Sequence, residues 1–300
     1  MRGLALERTS GETLFGSDVM SSQDPVIDTA ITAEEEYVIG RLDEMGFRAE
    51  KLARTAERKT CDLLAADDAN RYLIEVKRRR SDESIARTLR KEGKTELLHH
   101  PMGFSAPTEK TMAHAVKQLD AIDATGDPFK LIWFYIDPQF NDATTLMKQV
   151  HDTAFGSANL IRMPRLGETA PVQCYFFHRS VFFKYPQLSA VVLDTGRTFT
   201  LLLNPFADRL AEFRETALFR WFDSDEGGVV DPYALESAGI AFVADCDIDR
   251  RDEHGVLTYL KKKYGLPRWG LFHLPMVHHS AFVSVPISKL KQRRSRGSAE

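Results

Sequence analysis

Two strand-length apolar runs with charges set into them constrain this chain more than any other feature. The first is Cys61-Asp62-Leu63-Leu64-Ala65-Ala66; the second runs Arg71-Tyr72-Leu73-Ile74-Glu75-Val76-Lys77-Arg78-Arg79-Arg80. Asp67-Asp68-Ala69-Asn70 between them is turn chemistry, so the pair reads as a hairpin. Side chains alternate faces along a strand, which puts Leu73, Glu75 and Lys77 on one side and Tyr72, Ile74 and Val76 on the other, toward a core. A carboxylate and an ammonium therefore share one face of an otherwise apolar strand, and a second carboxylate, Asp62, stands on the partner strand. Charges beside a core are costly unless they pair or bind a metal. Two carboxylates on adjacent strands make an oxygen-rich seat for Mg²⁺, and a lysine next to them can orient or polarise an attacking water.

An Asp, a hairpin-length gap and then Glu-x-Lys resembles the signature of the PD-(D/E)XK nuclease superfamily, with Asp62 and Glu75-Val76-Lys77 at the matching positions. The proline that precedes the aspartate in that signature is replaced here by Cys61, a departure that the metal chemistry does not touch. The resemblance implies Mg²⁺-dependent hydrolysis of a nucleic-acid phosphodiester, with Mn²⁺ able to substitute and DNA the expected polymer. Asp62, Glu75 and the backbone carbonyl of Val76 would hold the metal, and Lys77 would orient the water.

The flanking segments fit this frame. Thr32-Ala33-Glu34-Glu35 has the form of a capping box, Val38, Leu42 and Met45 form an apolar stripe at helical spacing, and Gly46 supplies a stop. Glu35 has two readings, as the capping glutamate or as a site residue. Glu35, Val38, Leu42 and Gly46-Phe47 resemble the first helix of Holliday-junction-resolvase-like members of the superfamily, whose glutamate reaches the metal site; Glu36 is the alternative if the register is off by one. Phe47 to Leu52 reads as a strand before the hairpin. Arg78, Arg79, Arg80, Arg87, Arg90, Lys91 and Lys94 make a basic run directly after the charged strand, either a solvated face or a track for a phosphate backbone. Residues 99–110, with Pro101, Gly103 and Pro107, read as a loop, with His99-His100 at its edge. Thr111 to Ile122 is a second helix; the resemblance places its Gln118 near the active site. Phe129 to Ile136 has so little alternation that it should be a central strand buried on both faces.

The expected fold is therefore α/β: a restriction-endonuclease-like αβββαβ core with a mixed sheet over residues 29–140, plus an α+β C-terminal region, 141–288, that is either added to the core or a second domain. Residues 1–28 read as a loosely ordered arm and 289–300 as a basic tail. Within the C-terminal region the pattern predicts helices over Thr144–Thr153, Asp208–Phe222 and His254–Lys263. It predicts strands over Asn159–Met163 and Ile240–Ala244, a strand region over Leu271–Val285, and strand-rich stretches over Val172–Phe183 and Ser189–Leu203, with Asp194-Thr195-Gly196-Arg197 as a turn between the last pair of strands.

Composition excludes more than it selects. No apolar run approaches the ~18 residues of a membrane span. Three widely spaced cysteines fit neither a disulfide framework nor a zinc ribbon, and point to a reducing cytoplasm. The net charge of −3 rules out a molecule basic all over, so nucleic-acid affinity must come from local patches. A homodimer is compatible with everything above. Because fold and activity are separable, a catalytically silent nucleic-acid-binding or assembly module on the same fold is the second reading. The intact set of Asp62, Glu75 and Lys77 favours the enzyme.

Overall fold

The structure is a computed structural model; residues 30–52, 61–80, 95–122, 127–137, 143–165, 167–224 and 227–283 are described here. The expected arm (1–28), the basic tail (289–300) and Arg87, Arg90, Lys91 and Lys94 lie outside the described residues.

Helix α1 (Ala33–Glu44) begins and ends as its sequence dictates. Thr32 accepts from the Glu35 backbone N–H at 3.2 Å while Glu35 Oε2 accepts from the Thr32 N–H at 2.8 Å, a complete capping box. At the other end Gly46 adopts φ +87°, and the N–H of Phe47 reaches back to the carbonyl of Leu42, the six-to-one bond of a Schellman stop. Strands β1 (Arg48–Lys51), β2 (Leu63–Ala66) and β3 (Arg71–Arg80) follow, each antiparallel to the next, with Leu63 opposite Ile74 and Lys51 opposite Leu63.

Strand β4 (Thr95–Met102) departs from the expectation of a loop over 99–110. It leaves the main sheet and pairs antiparallel with β13 (Met276–Val283) as a separate ribbon, with His100 opposite His278 and His99 opposite His279. Helix α2 (Ala106–Asp120) also starts earlier than the predicted Thr111. Ser105 caps it and Pro107 sits in its first turn, where a missing N–H costs nothing; proline there opened a helix rather than marking a loop. Strand β5 (Phe129–Asp137) then lies parallel to β3, with Glu75 opposite Ile132.

The remaining elements are helix α3 (Ala143–Phe155), strands β6 (Ala158–Arg162) and β7 (Ala170–Tyr175), helix α4 (Val181–Lys184), and strands β8 (Leu188–Asp194) and β9 (Phe199–Leu203). After them come helices α5 (Leu210–Arg214) and α6 (Ala217–Phe222), strand β10 (Val229–Val230), helix α7 (Pro232–Ser237), strand β11 (Ala241–Val243), helix α8 (Glu253–Lys263) and strand β12 (Leu271–His273). The chain is α/β. A mixed seven-stranded sheet runs in the order β1-β2-β3-β5-β8-β9-β10, and a second sheet of four strands runs β11-β7-β6-β12. Thus β8, β9 and β10, all beyond residue 140, complete the sheet that β1 to β5 begin. Every position of β8 is buried, so sheet and core continue across the expected boundary at residue 140.

Both faces of the large sheet are covered. Tyr72, Ile74 and Val76 pack with Val38 and Leu42 of α1 and with Phe213, Leu218 and Phe222 of α5 and α6. Leu73 and Ile132 on the opposite face pack with Met112 and Val116 of α2, with Val150 and Phe155 of α3, and with Phe182 of α4. The second sheet has its own core against α8, built on Leu160, Cys174, Phe242, Val256 and Leu260. The single helix expected over Asp208–Phe222 is two: Thr216 donates to the carbonyl of Phe213 and accepts from the N–H of Phe219, ending one helix and capping the next.

Candidate functional site

The site forms where the hairpin, α1 and α2 meet. One residue beyond the last β2–β3 pair, Asp62 comes alongside Glu75 and Val76, and its Oδ2 accepts the Val76 backbone N–H at 2.9 Å. Glu75 shares its strand face with Lys77, whose ammonium donates to Glu75 Oε1 and, at 3.2 Å, to Gln118 Oε1 on α2. Glu35 enters from α1, where its Oε2 accepts from Lys51 Nζ at 2.7 Å as well as from the Thr32 N–H. The relative exposures are 0% for Glu75, 2% for Glu35 and 3% for Asp62, too low for unpaired charge, and the neutral amide of Gln118 is buried beside them. The fold answers with two ammonium groups, Lys51 and Lys77, against the three carboxylates.

Glu35, Asp62, Glu75, Lys77 and Gln118 line one cavity of about 480 Å³, which takes in Val76 as well. Thr32, Glu34, Arg78 and His114 complete the lining. Glu35, Asp62, Glu75, Val76, Lys77, Arg78 and Gln118, read from the sequence as site residues, are therefore brought together. Glu36, the alternative to Glu35, is exposed on α1. The negative charge is felt nearby: burial first, then the carboxylates of Glu75 and Asp62, push the Cys61 thiol well above its ordinary range, so Cys61 is no thiolate ligand near neutral pH.

Of the basic run only Arg78, Arg79 and Arg80 are among the described residues, and these three do not share one face. Strand alternation splits them: Arg78 ion-pairs with Glu34 and with Asp137, and Arg80 Nε lies 3.5 Å from Asp137. Arg79 points to the other face, where it donates to Gln149 on α3 at 3.1 Å. Lys51 and His114 were missed by sequence reasoning. Lys51 was legible only through a pairing that sets it opposite Leu63, next to Asp62; His114 lies one helical turn before Gln118 and could have been found from that spacing.

Among the described residues, no three His, Cys, Asp or Glu side chains are already grouped to hold a metal ion. The carboxylates of Glu34, Glu35, Asp62 and Glu75 and the Gln118 amide bring oxygens to the lining and His114 a ring nitrogen; a set in which oxygens predominate and no thiolate takes part fits Mg²⁺ or Mn²⁺ rather than a soft metal. Comparison with protein-family models, with curated proteins and with solved structures finds no match. Among the described residues no helix is long and apolar enough to cross a membrane.

Proposed function

We propose that this chain is a metal-dependent nuclease that hydrolyses nucleic-acid phosphodiesters, with DNA as the polymer, built on a core of the PD-(D/E)XK kind. The observation that carries the reading is the convergence of Asp62, Glu75, Lys77, Gln118 and Glu35 on one cavity from a hairpin and two helices. The order α1, β1, β2, β3, α2, β5 agrees with that core once the β4 ribbon is set aside.

Asp62, Glu75 and the Val76 carbonyl are the residues to hold the cation, with Glu35 beside them. When bound, the cation lowers the pKa of water and offsets charge on the phosphate oxygens. The protein's own contribution is positional. Gln118 fixes the Lys77 ammonium, which stands on Glu75 and orients the water to be deprotonated. Arg78 lines the cavity and is ion-paired with Glu34 and Asp137; exchanging one of these carboxylates for a phosphate would make it the cation to meet the substrate backbone.

A second reading has one observation in its favour. Lys77 on Glu75 and Lys51 on Glu35 compensate the carboxylates without any metal, as a silent nucleic-acid-binding or assembly module would require. One experiment separates the two: supercoiled, linear, single-stranded and branched DNA, and RNA, are incubated with the protein in Mg²⁺, Mn²⁺ or EDTA. The nuclease reading expects divalent-dependent cleavage, abolished in Asp62→Ala and in Glu75→Ala. Binding without cleavage on every substrate selects the silent module; cleavage that survives both substitutions removes the assigned site.

A further inference from the structure

The ribbon of β4 and β13 stands apart from both sheets and contributes no residue to the cavity of Asp62 and Glu75. Its strands come from distant parts of the chain, Thr95–Met102 and Met276–Val283, so no tight turn fixes their register. Two strands alone are marginally stable in water at best, which gives weight to any group that links them.

The register sets four metal-ligating residue types in one block. Met276 lies opposite Met102, Val277 opposite Pro101 and His278 opposite His100. Residues opposite one another in an antiparallel pair share a face, and so do residues two apart along a strand. His100, Met102, Met276 and His278 therefore occupy the same face over two successive same-face rungs. His99 and His279, also opposite one another, fall on the other face, with Leu97, Pro101, Val277 and Ala281 as their same-face neighbours. Opposite positions have Cβ atoms about 4.5–5.5 Å apart, and diagonal positions, about 7–8 Å apart, are still within reach of long side chains. A block of that size is small enough for residues of histidine and methionine length to share one ion.

The residue types select the metal. Thioether sulfur is a soft ligand that favours copper(I), while imidazole suits zinc, copper, iron and nickel. Two of each in one block leave copper(I) as the ion that both kinds favour. The other face brings two histidines together with no soft partner. In the sequence neither His99-His100 nor His278-His279 has a companion at ligand spacing; the pairing of the two strands supplies it. We propose that the face carrying His100, Met102, Met276 and His278 is a copper(I) site that ties β4 to β13. The site does not depend on nuclease activity.

Its test titrates the full-length protein anaerobically with Cu(I) against bicinchoninate, a chromophoric Cu(I) chelator, and follows backbone hydrogen exchange with and without the metal. The expected result is one Cu(I) withdrawn from the chelator per chain, with slower exchange over 95–102 and 276–283, because an ion that binds only the paired ribbon stabilises it. Met102→Leu/Met276→Leu keeps the bulk, removes both sulfurs and should weaken Cu(I) binding about tenfold or more. His100→Ala/His278→Ala should abolish it, and His99→Ala/His279→Ala on the other face should leave it unchanged. Thiols also attract Cu(I); Cys61 and Cys174 are buried and Cys246 is half-buried, so Cys246→Ser is the control and should bind as the wild type does. Near-UV circular dichroism verifies folding; if one of the two site variants is not folded, the other decides. The proposal is overturned if the wild type takes no Cu(I) from the chelator, or if protection appears only outside the ribbon. Unchanged affinity in a folded site variant, or loss of binding in His99→Ala/His279→Ala or in Cys246→Ser, overturns it as well.

Discussion

Glu35 was read as either a capping residue or a site residue; its side chain closes the capping box and also lines the cavity beside Asp62 and Glu75. One oxygen closes the capping box with Thr32 and also meets Lys51, in a pair whose side chains are 3% and 8% exposed. Removing the charge therefore does more than spoil a cap, because it leaves the Lys51 ammonium buried without its counter-ion. Glu35→Gln should cost about 2–4 kcal/mol in urea unfolding, whereas Glu36→Gln at the exposed neighbouring position should stay within about 0.5 kcal/mol. The double variant Glu35→Gln/Lys51→Met should recover much of the loss; equal effects of Glu35→Gln and Glu36→Gln would sink the assignment. Asp152 on α3 makes a second prediction at this scale. Burial raises its pKa, but His151 and Lys148 beside it outweigh that effect, so the native value lies below the ordinary 3.8 and the unfolded chain binds that proton more readily. The stabilisation is complete above 3.8 and is lost as pH falls through the native value. The stability gap between wild type and Asp152→Asn, read from urea midpoints, should accordingly narrow as pH falls below the ordinary carboxylate range and through the native value. A gap independent of pH would contradict it.

Elements are set by their ends as much as by their faces. The stretch Asp208–Phe222 has a continuous helical pattern, with Leu210, Phe213, Ala217 and Trp221 on the expected buried side. Thr216 interrupts it, the phase is reset, and Leu218, Phe219 and Phe222 join Phe213 in the core. A hydroxyl that serves both as stop and as cap is worth more than either alone. Thr216→Ala should destabilise by about 1–2 kcal/mol, and Thr216→Ser should restore most of it. Thermal melts of the three proteins give the answer, and a neutral Thr216→Ala would show that burial of the flanking aromatics holds the break unaided. The same logic explains α2, where Pro107 lies in the first turn behind the Ser105 cap.

At the scale of the molecule, the core does not end at residue 140. Strand β5 is central only because β8 pairs along it from Lys130 to Tyr135, and β9 and β10 extend the sheet beyond. A fragment of residues 30–140 would turn β5 into an unprotected edge with apolar groups on both faces, which invites strand addition between copies. The fragment should therefore aggregate or lack near-UV ellipticity, while the full chain unfolds cooperatively. A monomeric fragment with a sharp melt would restore the boundary.

What the sequence determined by itself is local. The hairpin, the capping box, the Gly46 stop and the apolar β5 follow from period, turn chemistry and cap residues within a few positions of each other, and alternation already put Glu75 and Lys77 on one face. Asp62 was legible as a partner because the hairpin turn fixes its register. Pairing between segments far apart in the chain was decided only in three dimensions. The ribbon of β4 with β13 joins Thr95 to Val283, and Lys51 meets Glu35 through packing of a strand on a helix. The placing of α3 beside β7 brings Lys148 to Gln173. Such contacts leave no periodic trace in sequence, since their free energy comes from burial and pairing between surfaces that form only when the whole sheet has closed.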